Sequence, residues 1–208
     1  MIHVKPVWGL DYKPGTVLFL KNEDNLISRG IAWFENIQEA ASFKASHVAF
    51  VVDEYTGLES SAHGIQSFKL SKYFDDKSMT VVCRQLEGLD ELAFQQAFDY
   101  GHSIIGKPYD YIGLIIGFPL MILSPLDEIF PILRKLPLFG SYFGARVCSS
   151  FVADQWKHTE RYKILSVFKK WHVTKISPNV LWVRFPWVPF SFMTRRKYLM
   201  IHKRGFYD

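Results

Sequence analysis

Residues 146–156 have the sequence RVCSSFVADQW, in which Cys148 comes directly before an amphipathic helical pattern. A thiol at a helix N-terminus faces unpaired backbone N–H groups and the positive end of the helix dipole, and both favour the thiolate. Small, hydroxylated Ser149 and Ser150 follow Cys148, whose own backbone N–H is placed to help form an oxyanion hole. The pattern therefore predicts a nucleophilic cysteine at the tip of a helix.

The base that such a thiol needs is offered by His47. His47 opens the run HVAFVV at residues 47–52, whose apolar and β-branched residues predict a buried strand. Glu59 follows after the turn at residues 53–57, where a returning strand would carry it back beside His47. With the thiol, these residues form a chemically complete Cys/His/Glu set, in which the acid orients the base. His63 is the alternative for the third position.

Length and composition predict one folded domain. The chain has 208 residues, of which 49% are hydrophobic and 16% aromatic, enough for a sizeable core. Its two cysteines do not make a disulfide framework, so a reducing compartment is the simpler expectation. Cys83 follows the apolar residues Val81 and Val82, and we interpret it as a small core residue.

The chain carries no clear signal for export or for a membrane span. Residues 1–9 lack the basic-then-apolar order of a secretory signal, so we expect a cytoplasmic protein, with packaging in a virus particle as an alternative. The stretch 111–126 carries no charge, but it is broken by glycines and prolines and is shorter than the about 20 residues that a span needs. We expect a buried helix and an apolar loop there, with membrane or partner docking as the alternative.

Charge is concentrated near the C-terminus. Residues 161–208 contain eleven Lys and Arg against one acid, Asp208, although the whole chain carries only +5. Such a section can bind the phosphate of an anionic membrane surface, but a solvated face is the simpler interpretation. Nucleic acid is not an expected partner, because no nucleic-acid-binding motif accompanies the charge.

Motifs for metals and cofactors do not occur. No His and Cys pair has zinc-site spacing, and neither a phosphate-binding loop nor a dinucleotide fingerprint is found. We therefore expect chemistry that needs no cofactor and no metal.

The periodicity of the chain predicts an α+β fold. Asp90 is the expected N-cap of a helix that runs through His102. Further expected elements are helices at about 25–35 and 164–170, a capped turn at 176–182, and strands at about 16–20, 47–52, 57–60, 79–85 and 198–202.

Six short segments, taken in order, resemble the circularly permuted NlpC-type papain-like proteins. This group includes the YiiX and YaeF proteins and has lecithin retinol acyltransferase as a relative. The resemblance covers about residues 11–182, and its segments are Pro14–Phe19, Ser46–Val52, Leu58–Ser60, Gly106–Asp110, Val147–Val152 and Ile176–Leu181. It implies an antiparallel sheet or small barrel packed against helices, with the His strand ahead of the Cys helix.

The same resemblance assigns roles to residues. It makes Cys148 the nucleophile, His47 the base and Glu59 the orienter, and it suggests Tyr109 as a contact for the substrate or the oxyanion. Ser149, next to the thiol, is a second such candidate. The whole chain, 1–208, is then one permuted papain-like domain, with an apolar insertion around 111–144 and a basic, aromatic extension at 183–208.

The expected function is that of a thiol hydrolase or acyltransferase acting on a peptide, another amide or a lipid acyl group. Amidase or peptidase activity is what the resemblance implies most broadly. The apolar section and the basic section favour the alternative of a membrane-proximal lipid acyl hydrolase or transferase. A catalytically inactive module, with the aromatics of 185–190 anchoring a partner, is a third interpretation. The oligomeric state stays open.

Overall fold

The structure is a computed structural model that describes residues 5–22, 41–111 and 147–189. Its described part is α+β, as predicted, and is built on one five-stranded sheet in the order β4-β3-β2-β1-β5. All neighbouring strands are antiparallel. The strands are β1 (Val17–Asn22), β2 (His47–Val51), β3 (Thr56–Ser61), β4 (Gly64–Lys69) and β5 (Met79–Arg84).

The helices that the structure describes are α1 (Ser71–Phe74), α2 (Glu91–Ser103), α3 (Cys148–Lys157), α4 (Ser166–Lys170) and α5 (Pro178–Arg184), with a 3-10 turn at Val173–Lys175. The predicted N-cap of α2 is confirmed, since the Asp90 carboxylate accepts a hydrogen bond from the Ala93 N–H at 2.8 Å. Ser177 caps α5 in the same way. Pro178 at the first helical position has a φ suited to a helix, which explains why the predicted turn continues as α5.

Both faces of the sheet are covered near its centre. Val17 and Phe19 of β1 pack into the larger core, which contains α2 and α3, whereas Leu18 and Leu20 pack into a second cluster with residues of α1. This two-sided burial explains the continuous apolar run of β1, because successive side chains of a strand point to opposite faces. The helix α3 packs against both β2 and α2, so its N-terminus is held over the sheet.

The hairpin that joins β3 to β4 was not predicted. Its turn, Ala62-His63, is followed by Gly64 with a positive φ of 93°. A Cβ at position 64 would lie 2.6 Å from the Lys107 carbonyl oxygen, so close backbone approach and a left-handed conformation both require glycine there. The hairpin fixes the register that places Gln66 opposite Glu59.

Several predictions fall outside the described residues, namely the helix at 25–35, the strand at 198–202 and nearly all of the apolar insertion. At the start of the predicted C-terminal extension, Phe185 and Trp187 are 4% and 8% exposed and belong to the larger core. These two aromatic residues are therefore not available to anchor a partner. Among the described helices, none is both long and apolar enough to cross a membrane.

Candidate active site

Cys148 is the first residue of α3, and it is buried, with 6% of its surface exposed. The helix is capped by Ser150, whose hydroxyl accepts from the Val147 N–H and donates to the Val147 carbonyl oxygen, both at 3.0 Å. The backbone N–H groups of Ser149 in α3 and Val48 in β2 donate to the Cys148 sulfur. The sulfur therefore lies where the helix N-terminus meets the first residues of β2, in an environment that favours negative charge.

His47, the first residue of β2, joins the thiol to the acid. Its side chain is hydrogen-bonded to Cys148, and its Nε2 lies 3.1 Å from Oε2 of Glu59. A carboxylate can only accept, so Nε2 carries a proton towards Glu59 and Nδ1 is the nitrogen left for the sulfur. The structure thus brings together all three residues of the predicted Cys/His/Glu set.

Glu59 has a side chain that is wholly buried. Leu58 packs into the larger core. Because successive side chains of a strand point to opposite faces, Glu59 points away from that core, towards α1. There His47 Nε2 and the Tyr73 hydroxyl donate to Oε2, the latter at 2.5 Å. Oε1 accepts from Lys72 Nζ at 2.6 Å and from Gln66 Nε2 at 3.1 Å. These four donors compensate the buried carboxylate and hold it in one orientation.

The electrostatics of the three groups favour an ionised site. Burial would raise the pKa of the Glu59 carboxyl, but hydrogen bonding and charge from His47, with help from Lys72 and Tyr73, lower it to about 2. Burial would lower the pKa of His47, but the negative charge of Cys148 and the contact with Glu59 raise it to about 9. Burial also opposes the thiolate, yet the imidazolium of His47 lowers the pKa of Cys148 below its ordinary value. A thiolate–imidazolium pair is therefore the expected form near neutral pH.

The other residues singled out from the sequence lie in different surroundings. Ser149 has a side chain too buried to meet a substrate, and its contribution is the backbone N–H on the sulfur. Tyr109 is half-buried, with its ring 5.0 Å from that of Tyr111, and its role towards a substrate stays a prediction. His63 is exposed in the β3–β4 turn, and Glu59 takes the third position instead. Cys83 packs against the second core cluster.

Three residues of the site were missed from the sequence: Gln66, Lys72 and Tyr73. Gly64 after the short turn Ala62-His63 is a hairpin signal that could have predicted β4, and with it the position of Gln66 opposite Glu59. No local pattern marks Lys72 and Tyr73, because α1 is a single helical turn whose side chains reach Glu59 only through the tertiary fold.

Comparisons with known proteins add no family. No protein-family model, no curated protein and no solved structure matches the chain. Within the three described ranges, no group of three or more His, Cys, Asp and Glu side chains is arranged to hold a metal ion. The likeness to NlpC-type proteins thus stays a prediction, and the case for function depends on the geometry of the site.

Glu59→Gln is expected to lower the free energy of unfolding by about 3 kcal/mol at pH 7. The folded-state pKa of about 2 lies below the ordinary value of 4.5, so the stabilisation by this carboxylate is full above 4.5 and is lost as the pH falls towards 2. Urea unfolding of both proteins at pH 7 and pH 3 measures the difference, which should shrink in acid. Glu54→Gln, in the exposed β2–β3 turn, is the control and should stay within about 0.5 kcal/mol of the unsubstituted protein. A difference that is equal at both pH values would contradict the assignment to carboxylate charge.

Proposed function

We propose that this protein is a thiol hydrolase or acyltransferase that cleaves an amide or ester bond through an acyl-enzyme on Cys148. The observation that carries the proposal is the hydrogen-bonded line from Cys148 through His47 to the buried Glu59, at the N-terminus of a helix. A nucleophile, a base and a group that orients the base are the elements that covalent acyl transfer requires. Amide cleavage, as in an amidase or peptidase, is the form we favour.

The proposal includes a permuted papain-like fold. In support, His47 and Glu59 come from neighbouring strands of one antiparallel sheet, and the helix that begins with Cys148 follows them in the chain and packs across that sheet. This is the order of strand and helix that the resemblance to NlpC-type proteins implies.

In the first half of the proposed reaction, the Cys148 thiolate attacks the carbonyl carbon, and the carbonyl electron pair moves onto oxygen. The N–H of Cys148 is the first of α3 and has no acceptor within the helix, so it is available to the oxyanion. The His47 imidazolium then gives its proton to the leaving amine or alkoxide as the tetrahedral intermediate collapses, which leaves a thioester on Cys148.

In the second half, water or another acyl acceptor attacks the thioester carbonyl. Neutral His47 takes the proton that this nucleophile loses. Collapse of this intermediate breaks the bond to sulfur, and the thiolate–imidazolium pair is restored. Glu59 keeps Nε2 protonated throughout, so that Nδ1 is the nitrogen that exchanges the proton with the reacting groups.

One observation favours a lipid acyl substrate as the second candidate. Ile164 is 68% exposed, and the basic residues near it in the sequence are also exposed: Lys169 and Lys170, together with Arg161 and Lys163, which are paired with Asp90 and Glu160. An apolar side chain among cations is suited to the surface of an anionic bilayer, where it can enter the acyl region while the charges meet head groups. Turnover of a vesicle-embedded acyl ester in preference to soluble peptide amides would favour this candidate.

Rapid thiol alkylation in mild acid is the expected sign of the ionised pair. In a Cys83→Ser variant, Cys148 is the one remaining thiol, and iodoacetamide at pH 6 should label it at least about tenfold faster than free cysteine. Labelling should stay fast in mild acid, because the thiolate persists down to the lowered pKa of Cys148. Acyl transfer should decline as the pH rises past about 9, because His47 then loses its proton. Mass spectrometry of the labelled peptide gives the rates. Slow labelling that rises only near pH 8.5 would instead favour an inactive module.

A further inference from the structure

Lys72 lies at the solvent-exposed edge of the site, with its charged group in contact with Glu59. It lies on α1, and its side chain is about half-exposed, at 47%, although its Nζ is 2.6 Å from Oε1 of the wholly buried Glu59. The ammonium also lies over the rings of Tyr73 and Phe68, 4.8 and 5.7 Å from their centroids. Two aromatic faces and a carboxylate thus hold the charge of Lys72 against the site.

The charges of the site balance only when Lys72 is included. The Cys148 thiolate, the His47 imidazolium and the Glu59 carboxylate together carry one net negative charge. A net charge in a buried cluster is costly, and uptake of a proton by the thiolate is the simplest way to remove it. With the ammonium of Lys72, the cluster consists of two ion pairs joined at the contact between His47 and Glu59.

We infer that Lys72 is a positioning residue of the proposed reaction, and that its positive charge, held against Glu59, offsets the excess negative charge of the buried cluster and so keeps Cys148 as a thiolate. The inference rests on the proposed function, because it concerns the nucleophile of that reaction. Lys72 does not touch the reacting atoms in this scheme. Its contribution is the charge that allows the buried pair to stay ionised.

The groups that face Glu59 come from three elements, β2, β4 and α1. Tyr73 is the remaining titratable one, and burial together with the charge of Glu59 raises the pKa of its hydroxyl far above the ordinary value, so it stays a donor. Gln66 supplies a neutral amide that also donates to Ser61. Lys72 is therefore the one cation, apart from the imidazolium, among the described contacts of Glu59. These contacts are His47 of β2, Gln66 of β4, and Lys72 and Tyr73 of α1.

The test compares three substitutions at position 72 in the Cys83→Ser background. Lys72→Met keeps an unbranched apolar stem without the charge, Lys72→Gln keeps a hydrogen-bond donor without the charge, and Lys72→Arg keeps both. Lys69→Gln, exposed at the end of β4, removes the same charge nearby and is the control. Each variant is labelled with iodoacetamide from pH 4 to pH 10, and His47 is titrated by NMR.

Loss of the positive charge should move the whole labelling profile of Cys148 to higher pH. We expect Lys72→Met and Lys72→Gln to be labelled about fivefold more slowly on the acid limb of the profile, where the thiolate is only partly formed, which is the scale of one partly screened charge. The pKa of His47 should rise in both variants, since a cation that disfavours the imidazolium is gone. Lys72→Arg and Lys69→Gln should keep the original profile.

The outcomes separate this inference from the proposed function. If the Cys83→Ser protein already shows an ordinary thiol profile, the proposed function fails, and the inference fails with it. If that protein is reactive in mild acid but Lys72→Gln has the same profile, the charge of Lys72 is not needed and only the inference is overturned. Slower labelling by an equal factor at every pH would likewise overturn it, because a purely structural defect has that signature. Should Lys72→Met not fold, the Gln and Arg variants decide the question.

Discussion

Cys148→Ala is expected to abolish acyl transfer, with a loss of at least about 10⁴-fold in turnover. The reason is that alanine removes the sulfur that would form the covalent intermediate, and no other cysteine can replace it, since Cys83 lies on β5 and packs against the second core cluster. The measurement is hydrolysis of a panel of fluorogenic peptide amides and acyl esters by the purified protein. Cys148→Ser tests the same point with almost the same volume.

The control for that experiment is Cys83→Ser, which should keep the activity of the unsubstituted protein. Circular dichroism and urea unfolding should show that the Cys148 variants keep the fold, because removing one sulfur from a helix N-terminus leaves the cap formed by Ser150 in place. Full turnover by a clean, folded Cys148→Ala preparation would refute the proposed nucleophile.

His47→Asn should have the second-largest effect, a loss of about 10³-fold in turnover. Without the imidazolium, burial raises the pKa of the Cys148 thiol, so labelling at pH 6 should slow by about 100-fold. The labelling profile should therefore move towards alkaline pH, where a hydroxide-rich solution forms the thiolate without help. Glu59 would still be compensated by Lys72, Tyr73 and Gln66, so the fold should survive.

His63→Asn is the matched control for His47→Asn. His63 is the other histidine that the sequence brings near Glu59, but it is exposed in the β3–β4 turn. We expect its substitution to leave both turnover and the labelling profile unchanged. Equal losses in the two variants would mean that the assignment of the base is wrong.

The site combines features that are unfavourable singly and acceptable together. A buried carboxylate, a buried thiolate and a half-buried imidazolium would each be costly alone, yet each is the partner that the next one needs. Because the groups come from β2, β3 and α3, the loss of any one should change the protonation of the others. This coupling is the reason that pH profiles, in addition to single rates, are used in the experiments above.

Much of the site could be predicted because its residues follow local patterns. The apolar run after His47 predicts a strand, the turn after it predicts a hairpin that returns with Glu59, and the small residues after Cys148 predict a helix tip. These patterns arise from interactions between residues close in sequence, such as helix capping, strand alternation and turn geometry. The structure places His47 at the start of β2, Glu59 in β3 and Cys148 at the N-terminus of α3, each as predicted.

The tertiary structure alone decided how the acid is held. Lys72 and Tyr73 lie on a single helical turn that has little preference of its own, and they meet Glu59 because β4 and α1 fold back over the sheet. The choice of Glu59 over His63 was likewise made by the register of the β3–β4 hairpin, which buries one and exposes the other. Such contacts depend on how whole elements pack, and sequence spacing carries little information about packing at long range.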